Sequence, residues 1–94
     1  MSDDAASVRD NPAMSRFELD LDGAVAVAEY ELEGGVMVFT HTRSPAELRG
    51  RGAASTLIQG ALLAARARSL KVRAECSFVV TYLKRHPEFA DLEA

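Results

Sequence analysis

The residues best suited to chemistry lie together in the glycine-rich run from Arg49 to Ala54 (RGRGAA). Because glycine has no side chain, the backbone N–H groups of Gly50 and Gly52 can approach a ligand closely. A helical pattern follows at once, and a helix N-terminus presents unpaired N–H groups and the positive end of its dipole. The two arginines of the run match phosphate oxygens, and Ser55 adds a hydroxyl. The run therefore predicts an anion site that suits phosphate.

The spacing of the glycines narrows the kind of phosphate site. No lysine follows the second glycine as in Gly-x-x-x-x-Gly-Lys-Ser/Thr, so the pattern excludes a nucleoside triphosphate P-loop. The dinucleotide pattern Gly-x-Gly-x-x-Gly also fails, because Ser55 stands at its last position. A glycine pair alone equally suits an ordinary loop between a strand and a helix, so both interpretations stay open on these residues.

Three strands are predicted ahead of the glycine-rich run. Polar and apolar residues alternate over 16–21, and a second strand follows an Asp-Gly turn at 25–32. Its alternation changes phase between Val27 and Tyr30, which indicates a β-bulge. A Gly-Gly hairpin turn then leads into a third strand, residues 36–42.

A long helix, a strand and a short helix follow the run. Apolar residues recur at helical spacing over 53–69, and residues 71–76 alternate as a fourth strand. Because a long crossover joins parallel strands, the fourth strand is expected parallel to the third. Residues 77–85 predict the short helix. Its inward residues are expected to be Phe78, Val79 and Tyr82. The fold class is therefore α+β, a mixed sheet in the order β-β-β-α-β-α.

Composition and charge limit the class of protein. The 94 residues suit one small domain, placed at 15–94 after a polar, acidic tail, 1–14, that we expect to be flexible. No apolar run could span a bilayer and no signal peptide is evident. The single cysteine cannot form an internal disulfide, so a cytoplasmic location is expected. Residues 49–94 carry eight basic and four acidic side chains, which suits an anionic ligand. Nucleic acid is not expected, because interleaved aromatic residues are missing.

Residues 49–54 resemble motif A of the GCN5-related N-acetyltransferases, Arg/Gln-x-x-Gly-x-Gly/Ala, at its fixed positions Arg49, Gly52 and Ala54. Three further stretches resemble a subfamily of very small acetyltransferase-like proteins. They are FTHT at 39–42, CSFVVTY at 76–82 and RHPEF at 85–89. The resemblance covers about 17–89, and Ser77 departs from it where a proline is expected.

The resemblance implies a minimal acetyltransferase fold with acetyl-CoA as cofactor. Coenzyme A would lie where the two parallel strands splay apart, with its pyrophosphate on the glycine-rich loop and its pantetheine along the third strand. The implied cofactor-binding residues are Thr40, Thr42, Arg43, Arg49, Gly50, Arg51, Gly52, Ala53, Ala54, Ser55, Lys84 and Arg85. Of these, Lys84 and Arg85 can reach the 3′-phosphate, or can be solvated cations at the end of the short helix.

Three residues are candidates for catalysis, each with a structural alternative. Cys76 ends a strand and precedes a helix, so its thiol can carry the acetyl group, can act as an acid or base toward the thioester, or can be an inert core residue. His41 is a general base for an amine or a residue that fixes the loop. The resemblance makes Tyr82 the proton donor to the departing thiolate, and the alternative is aromatic packing. No metal is expected, because no cluster of Cys, His and Asp residues in the sequence has the spacing of metal ligands.

Two functions remain in competition at this point. One is an N-acetyltransferase acting on an unidentified amine, either directly or through Cys76. The other is a non-catalytic acyl-CoA-binding module. A monomer or weak dimer is expected in either case.

Overall fold

A computed structural model describes residues 7–48 and 50–94 of the chain. Within those residues five strands form one mixed sheet in which neighbours along the chain are also neighbours in the sheet, and one α-helix follows each of the last two strands. The elements are β1 Arg9–Asn11, β2 Arg16–Leu21, β3 Ala24–Glu33, β4 Val36–Arg43, α1 Ala53–Ala67, β5 Lys71–Ala74 and α2 Ser77–Arg85. Short 3-10 helices span Pro12–Met14, Ala46–Leu48 and Pro87–Leu92. Of the described helices, none is long and apolar enough to cross a membrane.

The predicted turns make the two hairpins of the sheet. Asp22 and Gly23, between β2 and β3, have φ angles of 54° and 81°. Gly34 and Gly35, between β3 and β4, have φ angles of 54° and 83°. Two consecutive positive φ angles are typical of a type I′ turn, whose twist matches that of the flanking strands. Both hairpins are therefore confirmed, and their strands pair antiparallel.

The pairing of β3 with β4 contains a bulge. Tyr30 pairs with Phe39, whereas Glu29 pairs with His41, so Thr40 is an extra residue on β4. The sequence predicted an irregularity in β3 just before Tyr30, and the register shift falls there. The extra residue belongs to the partner strand, however, and only the pairing shows that.

The parallel crossover agrees with the prediction. α1 connects β4 to β5, which pair in parallel from Val36↔Lys71 to Phe39↔Ala74. The helix buries one apolar face in the core, with Leu57, Ile58, Ala61, Leu62 and Ala65 fully covered. Each fully buried Leu or Ile contributes about 1.5–3 kcal/mol relative to an exposed one, so this face holds α1 on the sheet. α2 packs against the same core through Val79, Tyr82 and Leu83.

The face of the sheet opposite the two helices carries ion pairs in the described part of the chain. Glu18 is buried there, with Arg9 at 3.0 Å and Arg16 at 2.7 Å. Arg73 lies beside Val38 in the register of β5 with β4. Long charged side chains cover apolar surface with their stems while their charges stay in water. Cover by neighbouring charged side chains such as Arg73 explains why Val38 is only 1% exposed, although it lies outside the main core cluster.

The N-terminal segment corrects one prediction. The sequence predicts a flexible tail over 1–14, but residues 9–14 form β1 and a 3-10 turn, and residues 1–6 lie outside the described residues. Asp10 accepts a hydrogen bond of 2.6 Å from the Tyr30 hydroxyl and pairs with Arg68 at 3.1 Å. Burial, then Asp10, raises the pKa of Tyr30 to about 12, so its hydroxyl remains a donor. A three-residue strand shows no alternation, so only its tertiary partners reveal it.

Candidate functional site

The glycine-rich loop builds the N-terminus of α1. Gly50 and Gly52 have φ angles of 80° and 73°, the left-handed region that favours glycine. Gly52 directly precedes the helix and cannot cap it with a side chain, and the first turn holds no acidic residue. The first N–H groups of α1 are therefore available to an external anion. Arg49, the first residue of the predicted site, lies outside the described residues.

A cavity of about 380 Å³, here called the loop cavity, opens at this helix N-terminus. Five predicted residues line it, namely Gly50, Gly52, Ala53, Ala54 and Ser55, together with the unpredicted Ser44, Leu48 and Phe78. A Cβ on either glycine would meet no atom within 4 Å, so there is free volume beside the loop backbone. Helix amides, a hydroxyl and open space are what a pyrophosphate group requires.

Arg51 is held at the edge of the loop by the β2–β3 turn. Its guanidinium donates to the Asp22 carboxylate at 2.8 Å, and both side chains are largely exposed. An exposed ion pair of this kind contributes about 0–1 kcal/mol. Arg51 can therefore exchange Asp22 for a bound phosphate at little energetic cost.

β4 and β5 separate beside the loop cavity. Their last pair is Phe39↔Ala74, where the Phe39 carbonyl accepts both the Glu75 N–H at 2.9 Å and the Cys76 N–H at 3.2 Å. β5 was predicted to continue to Cys76, but this double hydrogen bond turns the chain away after Ala74. Residues 40–43 of β4 therefore have no strand partner on the β5 side within the described chain. We call this space the strand gap.

Cys76 lies at the strand gap and directly precedes α2. Its half-buried thiol donates to the Thr42 hydroxyl at 3.5 Å. Burial opposes ionisation, but the Thr42 hydroxyl and the amides of Val79, Phe78 and Thr42 outweigh it and lower the pKa of Cys76. The two α2 amides do not form a strict cap hydrogen bond to the sulfur, yet they favour the thiolate. A thiolate is the nucleophilic form of cysteine.

His41 lies on the other side of the sheet from this thiol. It pairs with Glu29 and is exposed, whereas Thr42 contacts Cys76, and successive side chains of a strand point to opposite faces. The structure therefore does not bring His41 to Cys76. Two other predicted cofactor-binding residues of β4 also contact Glu29. The Thr40 hydroxyl donates to the Glu29 carbonyl at 3.3 Å, and Arg43 forms an ion pair with the Glu29 carboxylate.

Tyr82 lines a second, smaller cavity of about 100 Å³ between the two helices, here called the helix cavity. It is lined by Ser55, Phe78, Thr81, Tyr82, Arg85 and His86, so it shares Ser55 and Phe78 with the loop cavity. The Tyr82 ring stacks on His86 with centroids 3.9 Å apart. Burial, followed by the charge of Glu88, raises the pKa of Tyr82. Its hydroxyl is therefore protonated at neutral pH.

The two cations predicted for the 3′-phosphate line different cavities. Arg85 lines the helix cavity, next to the N-terminus of α1. Lys84 lines a separate cavity of about 210 Å³ at the outer edge of β5, with Val72 and Arg73. Only Arg85 therefore adjoins the predicted anion site.

Phe78 is the residue whose orientation the sequence misplaced. It was predicted to point inward with Val79 and Tyr82, which are buried, but its side chain is 37% exposed and lines both cavities. Phe78 and Val79 are adjacent, so which of them faces the core depends on how α2 sits on the sheet. An exposed aromatic beside an anion site is a signal that only the folded chain supplies.

The comparisons with known proteins identify the family and the fold. A family model described as GCN5-related N-acetyl-transferase matches residues 16–92, and the chain belongs to that family. The NMR solution structure of a GCN5-like protein from Staphylococcus aureus, proposed to be an N-acetyltransferase, is similar over 100% of this chain and 91% of its own. The TM-score is 0.73 and the sequence identity 25%. Among curated proteins there is no significant match.

Proposed function

We propose that the protein is an acetyl-CoA-dependent N-acetyltransferase in which Cys76 accepts the acetyl group before an amine does. One juxtaposition carries the proposal. The open N-terminus of α1, which suits a phosphate, and a thiol with a lowered pKa lie at the same end of the β4–β5 pair, and Phe78, two residues after that thiol, lines the loop cavity. Membership of the acetyltransferase family supports it.

The proposed binding site uses three parts of the chain. The amides of the glycine-rich loop and the Ser55 hydroxyl hold the pyrophosphate, with Arg51 released from Asp22 to join them. Residues 40–43 of β4 offer unpartnered backbone to the pantetheine amides at the strand gap. Arg85 in the helix cavity meets the 3′-phosphate, while Lys84 contributes at longer range.

The proposed chemistry follows from the positions of Cys76 and Tyr82. Acetyl-CoA supplies an activated thioester. The Cys76 thiolate attacks its carbonyl carbon, and the protonated Tyr82 hydroxyl provides a proton for the departing thiolate. The nitrogen of a neutral amine then attacks the acetyl carbon, the bond from that carbon to the Cys76 sulfur breaks, and the amine proton passes to the departing Cys76 thiolate. His41 lies on the face carrying Glu29, away from the acetylated Cys76, so it is not the base for this step.

Two measurements test the proposal. The wild-type protein, incubated with acetyl-CoA, should gain one acetyl group in its intact mass, and Cys76→Ala should not. Titration calorimetry should show that wild type and Cys76→Ala bind coenzyme A with similar affinity, because the thiol is apart from the phosphate site. Absence of binding at millimolar coenzyme A would refute the proposed function.

A second function, acyl-CoA binding without transfer, is favoured by one observation. The candidate base His41 pairs with Glu29 on the face of the sheet opposite Cys76, so the structure does not place that base beside the thiol. Coenzyme A binding with no acetyl gain on the protein and no acetylated amine would identify this module instead.

A further inference from the structure

Thr42 owes its orientation to the bulge in β4. Before the bulge Phe39 points into the core; beyond it Thr42 pairs with Ala28, which is fully buried in that core. Without the extra residue Thr40, the register would place His41 opposite Ala28 and turn Thr42 to the exposed face. The bulge therefore exchanges the faces of His41 and Thr42, and it places the threonine beside Cys76.

The contact between Thr42 and Cys76 spans the strand gap. The two side chains come from different elements, and Sγ of Cys76 lies 3.5 Å from Oγ1 of Thr42. The hydroxyl accepts from a neutral thiol and donates to a thiolate, so it serves both forms of the sulfur. The nearby charged residues Glu75 and Arg43 are exposed. Thr42 is thus the side chain that meets the sulfur from the sheet.

We propose that Thr42 is a positioning residue whose hydroxyl orients the Cys76 sulfur and stabilises its thiolate for acetyl transfer. The inference rests on the proposed function and goes beyond a backbone role for Thr42. It also gives the bulge a chemical role, because the extra residue Thr40 turns the Thr42 hydroxyl toward the thiol.

Thr42 would assist the transfer of the acetyl group from coenzyme A to Cys76. The Cys76 thiolate forms a bond to the acetyl carbon, the bond between that carbon and the coenzyme A sulfur breaks, and coenzyme A leaves as a thiolate that takes up a proton. Thr42 gains and loses no atom. Its hydroxyl donates to Cys76 before the attack and is released as the sulfur loses its charge.

The test measures the thiol without any cofactor. The rate of alkylation of Cys76 by iodoacetamide, followed by intact mass between pH 6 and pH 10, reports its thiolate fraction. Thr42→Val has nearly the same shape and lacks the donor. At neutral pH it should alkylate about three- to tenfold more slowly, with its profile moved to higher pH, since hydrogen bonds to charged groups are the stronger ones. Thr42→Ser should restore the wild-type profile.

A threonine of α1 provides the control. Thr56→Val removes a hydroxyl outside both cavities and should leave the alkylation profile unchanged, and circular dichroism checks that each variant is folded. A wild-type profile in folded Thr42→Val would overturn the proposal. A shifted profile in a protein that never gains acetyl from acetyl-CoA would support the contact with the thiol and would refute the proposed transfer.

Discussion

The two α-helices begin at the same end of the β4–β5 pair, and they differ in the residue that precedes the first turn. α1 begins after Gly52, whose left-handed backbone provides no cap, and a cavity of about 380 Å³ lies beside it. α2 begins after Cys76, whose extended backbone places a thiol against the first amides of the helix. The first N-terminus is left open for an external anion, and the second favours an anion that belongs to the chain.

The comparison shows how one physical property serves two tasks. Each helix N-terminus carries unpaired N–H groups and about half a positive charge. What differs is the residue just before the helix. A glycine leaves space for a ligand to bring the negative charge, whereas a cysteine brings its own ionisable group, and the pKa of the Cys76 thiol is lowered there. Changes at the two N-termini should therefore have separable effects on binding and on thiol chemistry.

The largest expected effect comes from an acidic residue at the first N-terminus. Ser55→Asp places a carboxylate in the first turn of α1, where it should repel phosphate and weaken coenzyme A binding about 10- to 100-fold. The same carboxylate suits the helix dipole, so thermal stability should stay level or rise. Calorimetry and thermal unfolding measure the two effects.

Gln59→Asp is the matched control for this substitution. It adds the same charge one turn further along α1, at an exposed position outside the cavities, and should weaken binding much less. Equal losses for the two variants would show that net charge, rather than the N-terminus, governs binding. Alkylation of Cys76 should be unaffected in both.

A smaller effect is expected from the backbone of the glycine-rich loop. Gly52→Ala forces a side chain into a left-handed conformation and should cost about 1–2 kcal/mol of unfolding free energy. Gly23→Ala in the β2–β3 turn adds the same kind of strain, because both positions have positive φ and open space around a Cβ. Chemical denaturation should show similar losses in the two variants, whereas coenzyme A binding should weaken only in Gly52→Ala. Unchanged binding in Gly52→Ala would show that the loop backbone is not part of the site.

The smallest effect concerns the pH dependence of stability at the second N-terminus. The pKa of Cys76 is lowered by folding, so the unfolded chain holds the thiol proton to higher pH than the folded chain does. Cys76 should thus add stability as pH rises through the lowered pKa, with the full gain above the pKa of the unfolded thiol. Between pH 6 and pH 9, the free energy of unfolding measured with urea should rise more for wild type than for Cys76→Ser. Parallel changes in the two proteins would show that the thiol is not ionised preferentially in the fold.

Local pattern was sufficient for much of the fold and for the backbone geometry of one half of the proposed site. Alternation over 16–21 and 36–42, two glycine turns and a helical repeat after Gly52 specify elements that the structure contains. These patterns involve neighbours in the chain, which is why they can be interpreted without tertiary contacts. The proposed anion site at α1 also rests on local pattern, because a glycine loop and the helix that follows it are contiguous.

What the sequence by itself determined is therefore the order of the elements from β2 to α2 and the open N-terminus of α1. Tertiary structure alone decided that residues 9–11 join the sheet, that Phe78 faces the cavities, and that Thr42 rather than His41 meets Cys76. Each of these depends on the pairing or packing of segments distant in sequence. The last depends on a single extra residue, Thr40, because one step of register reverses the face of every side chain beyond it.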